Sequence, residues 1–137
     1  WDGKVIIKGV MDVADALKAL DIGADAIIVS NHGGRQLDGA PSSVAALAPI
    51  VDAVGDLCEV WMDGGIRSGQ DVLRAMALGA KGTMIGRAFL YGLAAGGKPG
   101  VQKVLEIIRK ELDLTMAFCG HRHIDEVDAD ILLPRQG

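Results

Sequence analysis

The chain has 137 residues, half of them hydrophobic and 4% aromatic, a composition that supports about one globular domain with a buried core. Its formal net charge of -4, with lysines and arginines scattered along the chain, argues against a nucleic-acid or anionic-membrane surface and for small-molecule partners. Cys58 and Cys119 have neither disulfide-framework nor metal-ligand spacing, so both are expected to be buried or idle thiols, in keeping with a reducing compartment.

No apolar run approaches the ~18 residues of a membrane-spanning helix. Trp1-Asp2-Gly3-Lys4 is not a signal peptide, and the absence of an initiator methionine leads us to expect a piece of a longer polypeptide.

In chain order, the β-branched run Val5-Ile6-Ile7, closed by Lys8-Gly9, predicts a buried strand. Asp12 is placed to cap a helix through Leu20 that Gly23 terminates. Ala26 to Val29 predicts a second buried strand, closed by the loop "SNHGGRQLD" from Ser30 to Asp38. Ser42 or Ser43 can cap a helix running to Val54, stopped by Gly55. Val60-Trp61-Met62 is a third strand ending at Asp63-Gly64-Gly65, and Ser68 caps a helix stopped by Gly79. Thr83-Met84-Ile85 is a fourth strand ending at Gly86-Arg87. A long helical pattern from Val101 to Phe118 follows.

"DALKALDIGADAIIVS" from Asp15 matches "DVLRAMALGAKGTMIG" from Asp71, an internal repeat offset by 56 residues, or two βα units. Strands alternating with helices imply a parallel sheet with right-handed crossovers. Four such units are half of a (β/α)₈ barrel; a small open doubly wound sheet is the alternative.

In parallel α/β folds ligands bind at the carboxyl ends of strands, and the polar clusters of this chain fall there. "DGGIRSG" combines glycines, an arginine and the helix N-terminus near Ser68-Gly69, a recipe for phosphate that "IGRAF" repeats one strand later. Placed as strands seven and eight of a barrel, these two would carry its usual phosphate site. Lys8 is a fixed cation able to stabilise developing negative charge. His32 can take a proton near neutral pH, and the Arg35 fork can hold a carboxylate.

With those residues in view, "SNHGGRQLD", "DGGIRSGQDVLRAMALGA" and "IGRAFLYGLAAGG" resemble the C-terminal half of the FMN-dependent 2-hydroxy acid dehydrogenases and oxidases, a family that includes L-lactate dehydrogenase, glycolate oxidase and mandelate dehydrogenase. The resemblance runs from Val5 to about Glu126, and "WDGKVIIKG" with "GRAFLYGLA" resembles the bacterial L-lactate dehydrogenase branch most. It implies an α/β fold, a (β/α)₈ barrel of which residues 1–137 supply the last four βα units, with FMN as cofactor. It also implies oxidation of an L-2-hydroxy acid, lactate foremost, to the 2-oxo acid.

Residue by residue, the resemblance implies that His32 is the active-site base, that Arg35 holds the substrate carboxylate, and that Lys8 lies beside the flavin positions where negative charge gathers. It implies that Ser30 lies near the flavin ring, and that Asp63, Gly64, Gly65, Arg67, Gly86 and Arg87 hold the ribityl phosphate. The family's active-site tyrosines and the aspartate partner of the histidine belong to a half that this sequence does not contain, and Tyr91, the only tyrosine, matches none of them.

The same resemblance implies partners: the N-terminal half of the barrel and a homo-oligomer, a tetramer or octamer, located in the cytoplasm or peripherally on the inner face of a membrane. Other phosphate-binding barrels, such as inosine monophosphate dehydrogenase or type 2 isopentenyl diphosphate isomerase, share the Asp-Gly-Gly and Gly-Arg loops but do not call for His-Gly-Gly-Arg. A non-catalytic phosphate-binding half barrel is the reading from a different class.

Overall fold

The computed structural model describes residues 1–133; the last four of the domain expected over 1–137 lie outside the described residues. Strand β1 (Ile6–Val10) leads to helix α1 (Val13–Asp21), β2 (Ala26–Val29), α2 (Ser43–Val54), β3 (Glu59–Met62), α3 (Gly69–Ala77), β4 (Gly82–Thr83) and α4 (Arg87–Phe118). Short 3₁₀ turns occur at His32–Gly34, Ile124–Glu126 and Ala129–Ile131. All three strand pairings are parallel, and the strand order is β1-β2-β3-β4. Neighbours in sequence are therefore neighbours in the sheet. A doubly wound sheet reverses its order at a switch point, so this order selects the barrel sector over the open sheet.

Local chemistry explains the helix boundaries. The Asp12 side chain accepts from the Ala14 amide and starts α1, and Ser68 with Asp71 forms a reciprocal cap that starts α3. The repeat read from the sequence aligns α1–β2 with α3–β4, the two helices starting at Val13 and Gly69. At α2 the position is as expected but the bond is not: Ser42 occupies the cap without a side-chain hydrogen bond, and the Ser43 hydroxyl is turned toward Asn31 instead. The long last helix begins at Arg87 rather than Val101, and it breaks at Gly96 and Gly97, whose backbone angles are not helical.

The core lies between the sheet and α1, α2 and α3: Ile27, Val29, Leu47, Ile50, Val54 and Val60 are all essentially inaccessible. Burying each such side chain stabilises the fold by about 1.5–3 kcal/mol. Strand β2 is buried throughout, as expected for a strand flanked on both sides. Strand β1 corrects the expectation: Ile6 is 56% exposed, because β1 pairs only with β2 and forms an edge of the described sheet. The thiols divide likewise. Cys119 is exposed, while Cys58 is half-buried, and burial pushes the Cys58 thiol up.

Candidate functional site

The four carboxyl-end segments converge on one cleft of about 450 Å³, lined by Lys8, His32, Gly33, Arg35, Gln36, Asp63 to Arg67, Met84, Gly86, Arg87 and Leu90. Nine of the ten residues singled out from the sequence line it, and the tenth, Ser30, is fully buried directly beneath Lys8. Four permanent cations, Lys8, Arg35, Arg67 and Arg87, face one carboxylate, Asp63. In a chain of net charge -4 this concentrates positive potential in one place, so the cleft favours an anion.

Lys8 is not at the strand terminus but inside β1, which continues to Val10. The register of β1 against β2 slips between Lys8 and Val10, and Gly9 sits there with φ of 104°. This bulge re-aims the end of the strand. The absence of a side chain on Gly9 matters, because a Cβ there would lie 2.7 Å from His32 Nε2. The Lys8 ammonium lies 2.8 Å from Asp63 Oδ2 and donates to Ser30 Oγ at 3.1 Å. The other Asp63 oxygen, Oδ1, is buried without a partner among the described residues.

The loop carrying His32 is held from beneath. Ser30 Oγ accepts from the His32 amide at 3.1 Å, and Asn31 Oδ1 accepts from the Gly33 amide at 3.0 Å. His32 itself adopts φ of 55°, the left-handed region that non-glycine residues seldom occupy. Arg87 donates to the Gly33 carbonyl, which ties the end of β4 to this loop. Arg35 closes the 3₁₀ turn, its amide donating to the His32 carbonyl at 3.4 Å.

One expectation for the phosphate end is corrected. The N-terminus of α3 near Ser68-Gly69 is already satisfied: the Arg67 and Ser68 amides donate to Asp71, and the Gly69 amide donates to Glu111 at 2.9 Å. Two carboxylates already occupy that end. The N-terminus of α4 differs, because Gly86 stands at its cap with no side-chain bond. The free helix dipole in the cleft is thus that of α4.

Sequence reasoning did not name Gly33, Gln36, Ile66, Met84 or Leu90 as lining residues. Gln36 lies inside the quoted loop, and Met84 follows β4, so a rule taking every residue after a strand end would have found both. Leu90 gave no signal, because it comes from the first turn of α4.

Comparison with known proteins matches these features to one family. The model of the FMN-dependent dehydrogenases matches residues 1–134. An L-lactate dehydrogenase of Caulobacter sp. (strain K31) is 57% identical over 132 residues, 96% of this chain and 35% of that protein. A pre-mycofactocin synthase of Mycobacterium tuberculosis (strain ATCC 25618 / H37Rv) is 53% identical over 135 residues, covering 98% of this chain and 34% of the relative. The solved structure of mandelate oxidase with (S)-4-hydroxymandelic acid superposes with a TM-score of 0.87 at 48% identity, over 90% of this chain and 35% of that one. The chain therefore spans about a third of the length of the relatives it matches. Its α/β fold is four βα units of a (β/α)₈ barrel, and the chain belongs to the FMN-dependent dehydrogenase family.

Proposed function

We propose that this chain supplies the cofactor-phosphate end and the base of an enzyme that uses FMN to oxidise an L-2-hydroxy acid, lactate foremost, to the 2-oxo acid. The observation that carries the proposal is the cleft, which joins His32, Arg35 and the further cations Lys8, Arg67 and Arg87 on adjacent strand ends. The residues fit FMN. A methyl group placed on Gly65 or Gly86 would meet no atom within 4 Å, so both backbones border open space. Arg67, Arg87 and the uncapped N-terminus of α4 would hold the phosphate. The unpartnered Asp63 Oδ1 offers an acceptor to a hydroxyl-bearing chain attached to it.

When bound, FMN supplies a two-electron acceptor. The protein's part is to position and deprotonate. Arg35 pairs its fork with the substrate carboxylate, which orients the neighbouring carbon. His32 would take the proton from the substrate's 2-hydroxyl, the group that becomes the 2-oxo carbonyl. Lys8 presents positive charge where negative charge develops, and Ser30 and Asp63 hold the ammonium in place. Relatives of similar identity carry different names, L-lactate dehydrogenase and pre-mycofactocin synthase. Substrate side-chain choice is accordingly assigned to the part of the barrel outside this chain.

The test is a full-length protein in which this chain replaces the matching segment of the Caulobacter relative. Purified with FMN, it should lose its flavin absorbance when mixed with L-lactate without oxygen. Retained absorbance with lactate, mandelate and glycolate alike would overturn the proposal.

A further inference from the structure

The structure assigns Ser43 as a positioning residue for His32, acting through Asn31; the assignment rests on His32 being the base. Ser43 is the first residue of α2 and only 1% exposed, although it is polar. Its hydroxyl accepts from the Asn31 amide at 3.1 Å, across a gap of 12 residues that crosses the whole loop. Asn31 in turn uses its side chain twice: Oδ1 accepts from the Gly33 amide at 3.0 Å, and Nδ2 donates to the Pro41 carbonyl at 3.1 Å. His32 sits between two restrained neighbours.

The loop after β3 locks this arrangement. A Cβ on Gly64 would lie 2.7 Å from Ser43 Oγ and 2.9 Å from Asn31 Oδ1, so only glycine at this position leaves both atoms where they are. His32 holds φ of 55° with Nε2 directed at the Gly9 bulge. A non-glycine residue keeps such a backbone only where its surroundings over-determine it. Ser43, Asn31 and Gly64 provide that determination from three separate elements, and Ser43 itself does not line the cleft. Its effect is on where the imidazole points. A misplacement of about 1 Å at a reacting group can cost on the order of 10²-fold in rate.

The experiment compares Ser43→Ala and Ser43→Thr in two forms of the protein. In the full-length graft, Ser43→Ala should lower kcat roughly 10- to 100-fold, with KM for the hydroxy acid and FMN affinity within about twofold of the parent, and Ser43→Thr, which keeps the hydroxyl, should recover most of the loss. Equal kcat in parent and Ser43→Ala would overturn the assignment. Amide hydrogen exchange on the 137-residue chain supplies the second reading, independent of turnover. Ser43→Ala should speed exchange at Asn31 and Gly33 by about tenfold, while the α2 amides from Leu47 onward stay protected. Unchanged exchange at Asn31 and Gly33 would overturn the assignment even if the graft oxidised no hydroxy acid, whereas a parent graft without activity but with the expected exchange would remove only the proposed function.

Discussion

The Lys8 ammonium and the Asp63 carboxylate pair at 2.8 Å although Lys8 lies in β1 and Asp63 directly follows β3, strands that are not neighbours in the sheet. The pair reaches over the end of β2, where Ser30 Oγ accepts the third contact at 3.1 Å. Two strand ends are thereby fixed relative to each other. Replacing Lys8 by Met keeps the stem and removes the charge. In the full-length graft this should slow substrate-driven flavin bleaching by on the order of 10²-fold while FMN stays bound, measured by anaerobic stopped flow. An unaltered bleaching rate would assign Lys8 a purely structural part.

Arg35 should act through the substrate carboxylate. Lysine keeps the charge and loses the planar fork, so Arg35→Lys should raise KM and lower kcat together while the flavin spectrum stays normal. Steady-state kinetics alongside an absorbance spectrum decides it. A loss confined to flavin affinity would move Arg35 to the cofactor site.

Arg67 and Arg87 should hold the phosphate jointly. Each charge-assisted contact is worth about 1.5–3 kcal/mol, so the double Ala replacement should release FMN during gel filtration. Arg87 also bonds the Gly33 carbonyl. Its single replacement should therefore loosen the His32 loop as well, and exchange at Gly33 separates that effect from phosphate loss. A double variant that stays yellow through the column contradicts the assignment.

The start of the sheet carries a pH-dependent tie. Asp25 accepts from Lys4 Nζ at 2.6 Å and from the Val5 amide at 2.8 Å, and these bonds hold its carboxyl below the ordinary value of 3.8. A carboxyl lowered on folding favours the folded state at pH above its unfolded value and loses that contribution as pH falls through the folded value. Asp25→Asn should therefore lower thermal stability at neutral pH, and the gap to the parent should narrow below the unfolded value of about 3.9. A gap of constant size across that range would show that the carboxylate charge contributes nothing.

Much of this was legible because strand and helix boundaries are written in local chemistry. Asp12, Ser68, Gly23 and Gly79 mark their helix ends as expected, and the 56-residue repeat, Asp15 to Asp71, is the α1–β2 and α3–β4 pair. That nine of the ten residues singled out would line one cleft was legible because strand ends in a parallel sheet gather on one side. What could not be read were contacts that cross between elements. The exposure of β1 depends on which strands lie beside it, and no pattern in Val5-Ile6-Ile7 carries that information. The α3 N-terminus looked free for phosphate because Glu111, which occupies it, lies 42 residues away. Ser43 read as a helix cap, since its tie to Asn31 needs the loop to fold back over 12 residues.

His32 is proposed to act as the base while making no contact that retains the cofactor. The direct measurement is His32→Ala in the full-length graft, with FMN occupancy and lactate turnover read on the same sample. Full FMN occupancy with turnover reduced by at least ~10²-fold is the predicted result; turnover near that of the parent would contradict the assignment of His32.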